Sequence, residues 1–250
     1  MASVSLHPPV VKKAMILAAG LGTRFKPWTE EHPKALAPIN GKSLLQRNIE
    51  YLQGYGIRDV VVNVHHFADQ IVEALTVNKG WGSRFTISDE TDSVLETGGG
   101  LKKAKTLLEE APFVLMNVDI LTDMNLLDMI ADHFHFAPLA TLAVTNRSTS
   151  RYFLFNRKDE LCGWRNITTG QERMARPAEV GVLTQKAFSG IHVIDPAIFP
   201  LIERTGKFSM VDLYLDLAVK HTIRGFDHSQ SRLIDVGKPE SAEQAAKLFP

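Results

Sequence analysis

Over its first half the chain alternates strand-length apolar segments with segments patterned as helices, and no other feature limits its fold as tightly. Residues 14–19 form a continuous apolar run that ends on Gly20, as expected of a strand buried on both faces. Residues 43–52 carry Leu44, Leu45, Ile49 and Leu52 at helical spacing, and Gly54 and Gly56 follow as stop signals. Residues 59–64 are a β-branched block built on Val60, Val61, Val62 and Val64. Phe67, Ile71, Val72 and Leu75 then make a helical stripe. Residues 113–118 are strand-like, Leu126, Leu127, Ile130 and Phe134 are again at helical spacing, and 139–145 complete the series. Strand–helix units of this length predict an α/β fold with a doubly wound, mostly parallel (mixed) sheet of Rossmann-like type.

The second half predicts antiparallel additions to that sheet. Residues 152–156 and 161–166 flank the polar turn Arg157-Lys158-Asp159-Glu160 as a hairpin would, and 188–194 read as a further strand. Pro196 suits the first turn of a short helix, and Ser209-Met210-Val211-Asp212 resembles a capping box opening a helix to about His221. A last strand, 232–236, precedes a closing helix, 239–248. With no repeat and no long Gly/Ser linker, the expectation is one domain over 1–250. It divides into an extension (1–12), a first half (about 13–145) and a second half (about 146–250).

Charge and cysteine content exclude several functions. Lys+Arg 28 against Asp+Glu 28 leaves no surplus for a nucleic-acid partner, whose phosphates demand one. The single cysteine, Cys162, makes neither an internal disulfide nor a thiolate metal site. Pro8 and Pro9 break any early helix, and no run reaches the roughly 18 apolar residues of a membrane span. A cytoplasmic protein, monomer or homodimer, is the expectation.

The chemistry concentrates where the first strand runs into Leu17-Ala18-Ala19-Gly20-Leu21-Gly22-Thr23-Arg24, with Lys34 further on. Glycines there bring bare backbone N–H groups to an anion, and Arg24 and Lys34 add charge, although a tight turn explains Gly20 and Gly22 equally well. Phe25 stands at the third glycine position of a dinucleotide fingerprint, and the spacing of a Walker loop is absent. Glu96-Thr97-Gly98-Gly99-Gly100 is a second glycine cluster, which alone reads as a flexible turn. Asp119 lies at the carboxyl end of a predicted strand, where open α/β sheets bind ligands. No spacing rule connects it to Asp235. His65 and His66 are adjacent in an extended segment and point to opposite faces, which favours a structural role for at least one. Cys162, Tyr152, Phe153, Phe155 and Trp164 read as packing. Gly190, after Ser189, marks a close approach by backbone or ligand.

The span from Leu17 through Pro27, Thr29, Pro33 and Lys34 closely resembles the signature of sugar-1-phosphate nucleotidylyltransferases. The likeness continues through Glu96–Gly100, Asn117-Val118-Asp119, residues 188–193 and Asp235-Val236-Gly237, and is strongest to the short bacterial N-acetylmuramate-1-phosphate uridylyltransferases. Mannose- and heptose-1-phosphate guanylyltransferases are similar too. The resemblance implies a nucleotide-binding first half and a sugar-phosphate-binding second half. It places Leu17, Ala18, Ala19, Gly20, Gly22, Thr23, Arg24, Glu96, Thr97, Gly98 and Asn117 on a nucleoside triphosphate, and Gly99 and Gly190 on a sugar 1-phosphate. It makes Arg24 and Lys34 catalytic through charge, and Asp119 and Asp235 ligands of one Mg²⁺. Val118, Leu233 and Lys238 depart from the usual pattern without removing a carboxylate. A non-catalytic nucleotide-sugar-binding protein of the same fold is the alternative, although such relatives usually lose one of the four charged residues, all of which are present.

Overall fold

The structure is a computed structural model and describes residues 10–176 and 183–250, so most of the expected extension, 1–9, lies outside the described residues. The described strands are β1 (Lys13–Leu17), β2 (Pro38–Ile39), β3 (Lys42–Ser43), β4 (Asp59–Val64), β5 (Arg84–Asp89), β6 (Phe113–Asn117), β7 (Ile120–Thr122), β8 (Ala140–Thr145), β9 (Arg151–Phe155), β10 (Leu161–Asn166), β11 (Gln171–Met174), β12 (Thr184–Ile194), β13 (Ile223–Asp227) and β14 (Leu233–Asp235). The helices are α1 (Leu44–Gly54), α2 (Ala68–Val77), α3 (Glu96–Lys103), α4 (Lys105–Leu108), α5 (Leu126–Phe136), α6 (Met210–Ala218) and α7 (Pro239–Leu248).

Ten strands join in one mixed sheet, β11-β10-β9-β12-β6-β1-β4-β5, with β8 paired to β12 and β13 to β8. Strands β6, β1, β4 and β5 run parallel, so Ala14 lies between Val60 and Val114. The long β12 runs antiparallel to β6, β8 and β9, and thereby ties the second half to the parallel block.

Period-two geometry divides β1 between two cores. Ala14 and Ile16 face the cluster built with α1, α2, α5 and α7, whereas Met15 and Leu17 face the one built with α3, α4 and α6. Met15 and Ile16 are fully buried, which contributes about 1.5–3 kcal/mol each. Helix starts follow local capping: Ser43 Oγ accepts from Gln46 N at 3.1 Å, and Ser209 Oγ accepts from Asp212 N at 3.1 Å.

Six of the described strands, β2, β3, β5, β7, β11 and β13, escape the sequence reading, and β2, β3 and β7 are only two or three residues long. β5 alternates exposed polar residues with Phe85 and Ile87 over only six positions, and β13 is interrupted by Gly225. That glycine is required by packing, because a Cβ there would lie 2.9 Å from the Phe155 ring. In α5 the expected stripe is rotated. Leu127 and Phe134 are exposed, while Leu126, Met129, Ile130 and His133 are buried, the imidazole meeting Thr141 Oγ1 at 3.0 Å. Among the described residues no helix is long and apolar enough to cross a membrane.

Three buried imidazoles give the fold an acid sensitivity. Burial pushes His192 down to about 3 and His133 and His228 to about 4, from 6.5. Between pH 6.5 and about 4 the unfolded chain binds protons that the folded chain refuses, so stability falls as pH drops through that window and is unaffected above it. At about 1.4 kcal/mol per pKa unit, the loss is on the order of several kcal/mol. Equilibrium urea unfolding of His192→Gln should show a shallower pH dependence over this window. An unchanged slope would remove His192 from the account.

Candidate active site

The carboxyl ends of β1, β4 and β6 open into a cleft of about 520 Å³. Its first wall is the glycine-rich loop, held in place at both ends. Where β1 ends, Asn63 Oδ1 accepts from Ala18 N at 2.6 Å and Ala19 N at 3.3 Å, so these alanines leave the strand predicted over 14–19. Further along, Gly22 has a left-handed backbone (φ +61°), and a Cβ there would lie 2.7 Å from Thr29 Cγ2. Its carbonyl accepts from Phe25 N at 2.8 Å and Thr29 Oγ1 at 2.9 Å. Phe25, at the position a dinucleotide fingerprint reserves for glycine, is instead a buried anchor that folds the loop back on the core. Arg24 projects from this loop at the cleft mouth, and Lys34 enters from the short 3₁₀ turn Lys34–Leu36.

Two carboxylates far apart in sequence meet through a two-stranded antiparallel ladder. β14 pairs with β7 so that Asp235 lies opposite Ile120, and Val236 N donates to the Asp119 carbonyl at 2.8 Å. Lys34 Nζ donates to Asp119 Oδ2 at 2.5 Å. A Cβ on Gly237 would lie 2.9 Å from Asp235 Oδ1 and 3.6 Å from Arg24 Nη2, so carboxylate and guanidinium flank the same backbone. Although the Asp235 side chain opens to solvent, the protein around its carboxyl pushes its pKa above the usual range. The Asp119 charge adds to that rise, while Lys34, Arg147 and Arg24 oppose it. Two hard oxygen donors carrying mutual repulsion fit a divalent cation such as Mg²⁺. Among the described residues no group of three or more His, Cys, Asp or Glu forms a metal site, so the remaining ligands would be water or substrate oxygens.

The second wall, Val94 to Thr97, corrects the expected part played by the glycine cluster. Gly98, Gly99 and Gly100 are buried within α3 rather than turned to the cleft. Gly98 N and Gly99 N donate to the Phe208 carbonyl at 2.9 and 3.2 Å, which uses the donors a ligand would need. Glu96, in a left-handed conformation (φ +59°), pairs with Lys207 at 3.5 Å, and Thr97 Oγ1 accepts from Met210 N at 2.9 Å. The glycines thus let a segment of the second half close over α3. A Cβ at Gly98 would sit 2.5 Å from the Phe208 ring and 2.9 Å from the Ser209 carbonyl. Gly98→Ala should therefore destabilise the protein by about 1–3 kcal/mol in denaturant unfolding. Wild-type stability would show that the two segments separate freely.

The cleft brings together Leu17, Ala18, Ala19, Gly20, Gly22, Thr23, Arg24, Lys34, Glu96, Thr97, Asn117 and Asp119, with Asp235 beside its lining residue Gly237. Gly98, Gly99 and Gly190 do not line it. Gly190 (φ +76°) lies where the β12–β8 register shifts, and a Cβ there would be 2.8 Å from Asn117 Nδ2, so the close approach is to protein. His65 bonds the Glu90 carbonyl through Nδ1 at 2.7 Å, and His66 packs on Phe67; neither lines the cleft. Tyr152, Phe153, Phe155 and Cys162 are buried. Four lining residues with polar side chains were missed: Asn63, Glu90, Lys207 and Ser209. Only Asn63 left a trace, as the polar break in a valine block.

Residues 13–160 match the nucleotidyl transferase family. Over 235 residues the chain is 30% identical to N-acetylmuramate alpha-1-phosphate uridylyltransferase of Caulobacter vibrioides, covering 92% of this chain and 93% of that one. It is 26% identical to mannose-1-phosphate guanyltransferase of Yarrowia lipolytica, covering 95% of this chain but 64% of that longer protein. A crystal structure of HddC from Yersinia pseudotuberculosis complexed with GMP-PN superposes with a TM-score of 0.77 at 22% identity, over 96% of this chain and all of that one, a likeness of fold. With a matching region that spans the glycine-rich loop, Lys34 and Asp119, the chain belongs to the nucleotidyl transferase family.

Proposed function

We propose that the protein transfers a nucleotidyl group from a nucleoside triphosphate to a sugar 1-phosphate in a Mg²⁺-dependent reaction, releasing pyrophosphate, with UTP and N-acetylmuramate 1-phosphate as the substrate pair. The observation that carries this reading is the Asp119–Asp235 pair set against Lys34 and Arg24 at the mouth of a glycine-loop cleft. The substrate pair rests on the uridylyltransferase that matches over nearly its whole length. We place the activity in the cytoplasm.

The sugar-phosphate oxygen is already anionic, so attack on the α-phosphorus needs no general base. The obstacle is repulsion between substrates that together carry roughly six negative charges. Arg24 meets the phosphates at the loop, and Lys34, held within reach by Asp119, offsets charge at the α-phosphate. Backbone N–H groups of the loop orient the triphosphate for in-line displacement. Asp119 and Asp235 would hold Mg²⁺, which supplies Lewis-acid neutralisation of phosphate oxygens when bound. A pyrophosphate-release screen crossing four nucleoside triphosphates with N-acetylmuramate, mannose, heptose and glucose 1-phosphates tests the assignment. Preference for GTP with mannose or heptose 1-phosphate would replace the substrate pair. Nucleotide binding without turnover of any pair would favour the non-catalytic alternative.

A further inference from the structure

Two buried polar side chains at the base of the cleft have no part in the mechanism above. Asn63, in β4, and Glu90, just after β5, are 2% and 1% exposed. Both ends of the Asn63 amide are occupied: Oδ1 by the consecutive N–H groups of Ala18 and Ala19, and Nδ2 by Glu90 Oε1 at 2.8 Å. Rotated by half a turn, the amide would set its NH₂ against two backbone donors, and the Glu90 acceptor is what selects the observed orientation. Glu90 is itself fixed, its N–H donating to the Val64 carbonyl at 2.8 Å and its carbonyl bonded to His65. From the other side, a Cβ on Gly100 would lie 2.6 Å from Glu90 Oε1 and 3.0 Å from Asn63 Nδ2, so α3 reaches the pair only because that residue is glycine. The pair therefore touches both walls of the cleft. A buried carboxyl and amide cost desolvation that an apolar pair would avoid, so packing alone does not account for them.

We propose that Asn63 and Glu90 form a positioning pair for nucleotide binding: Glu90 orients the Asn63 amide, and Asn63 fixes the first residues of the glycine-rich loop relative to α3. This rests on the reading that the cleft takes a nucleoside triphosphate. With both alanine N–H groups engaged, the loop donors left for phosphates begin at Gly20, so the place of Ala18 and Ala19 sets where the phosphates lie.

The test is a polarity swap. In Asn63→Asp, one oxygen still accepts from Ala18 and Ala19, but the other faces a second carboxyl, and a bond forms only while the two share a proton. His65 and, from α3, Lys103 are the charged or titratable groups acting on Glu90. KM for the nucleoside triphosphate should rise by about tenfold or more as pH increases from about 6 to 9 in this variant, and more steeply than in wild type, where the residue facing Glu90 is an uncharged amide. Glu90→Gln, whose side-chain oxygen still accepts from Asn63, should stay within about threefold of wild type at every pH. The double variant, in which the new glutamine donates to the new aspartate, should return to within about threefold and lose the pH dependence. Amide hydrogen-exchange protection at Ala18 and Ala19, followed by NMR and corrected for the intrinsic pH dependence of exchange, should fall as pH rises in Asn63→Asp alone. A purely structural pair would change thermal stability without making nucleotide KM follow pH. A double variant no better than Asn63→Asp would overturn the proposal. Should wild type turn over no nucleotide, the proposed activity fails, and the exchange rates at Ala18 and Ala19 decide the pairing by themselves.

Discussion

Asp119→Asn should lower kcat for nucleotidyl transfer by about two to three orders of magnitude and leave the melting temperature within a few degrees of wild type. The two effects separate because the residue has two unconnected tasks. Its main-chain carbonyl receives Val236 N–H and so holds β14 in place, a contact the substitution does not touch. Its side chain meets Lys34 and faces Asp235, and neither contact fills a core position. Asparagine keeps the shape but removes one of two charges available to a divalent cation, and leaves Lys34 without its anionic partner. Loss of the Asp119 charge also relieves the repulsion on Asp235, which offsets the lost contact with Lys34. Pyrophosphate-release kinetics beside a thermal melt check both halves. Near-normal turnover in the folded variant would remove Asp119 from the reaction.

Lys34→Ala should cost about 100-fold in kcat/KM, and it should also move the acid limb of the pH–rate profile to higher pH. The first effect is loss of a cation at the phosphates. The second follows from Asp235, whose carboxyl is already raised by the protein around it and by Asp119 and is held back by Lys34, Arg147 and Arg24. Without the ammonium its pKa rises further. Activity that needs both carboxylates ionised then begins to fall at a higher pH on acidification. Lys34→Arg, which keeps the charge, should leave the acid limb near its wild-type position. Since Lys34 and Asp119 share a 2.5 Å contact, the double variant should lose less than the sum of the single losses. An acid limb unmoved in Lys34→Ala would break the electrostatic link between the two.

Local chemistry was legible in the sequence, and contacts between distant segments were not. The β-branched block 59–64 is β4, residues 239–248 are α7, and Ser209 caps its helix as expected. Those features depend on neighbours within a few positions. Gly98, Gly99 and Gly100 misled because their small size answers to Phe208, Gly206 and Glu90, residues from other parts of the chain. Gly190 is the same case, with Asn117 as the neighbour. Asp235 reaches Asp119 through the short ladder between β7 and β14, for which no spacing in the chain prepares the reader, and the family resemblance alone suggested the pair. Glu90 was missed because it follows an edge strand too polar to register as a strand, although it is among the most deeply buried carboxyls in the described structure.

The most direct test of the account is pyrophosphate release from UTP and N-acetylmuramate 1-phosphate by purified protein, measured with Mg²⁺, after chelation, and after Mg²⁺ is restored. The account predicts turnover that needs both substrates, stops on chelation and returns with the metal. Turnover that persists under chelation would contradict the role given to Asp119 and Asp235. Absence of turnover with this and every other triphosphate–sugar phosphate pair, while the protein still binds nucleotide, would contradict the reaction itself.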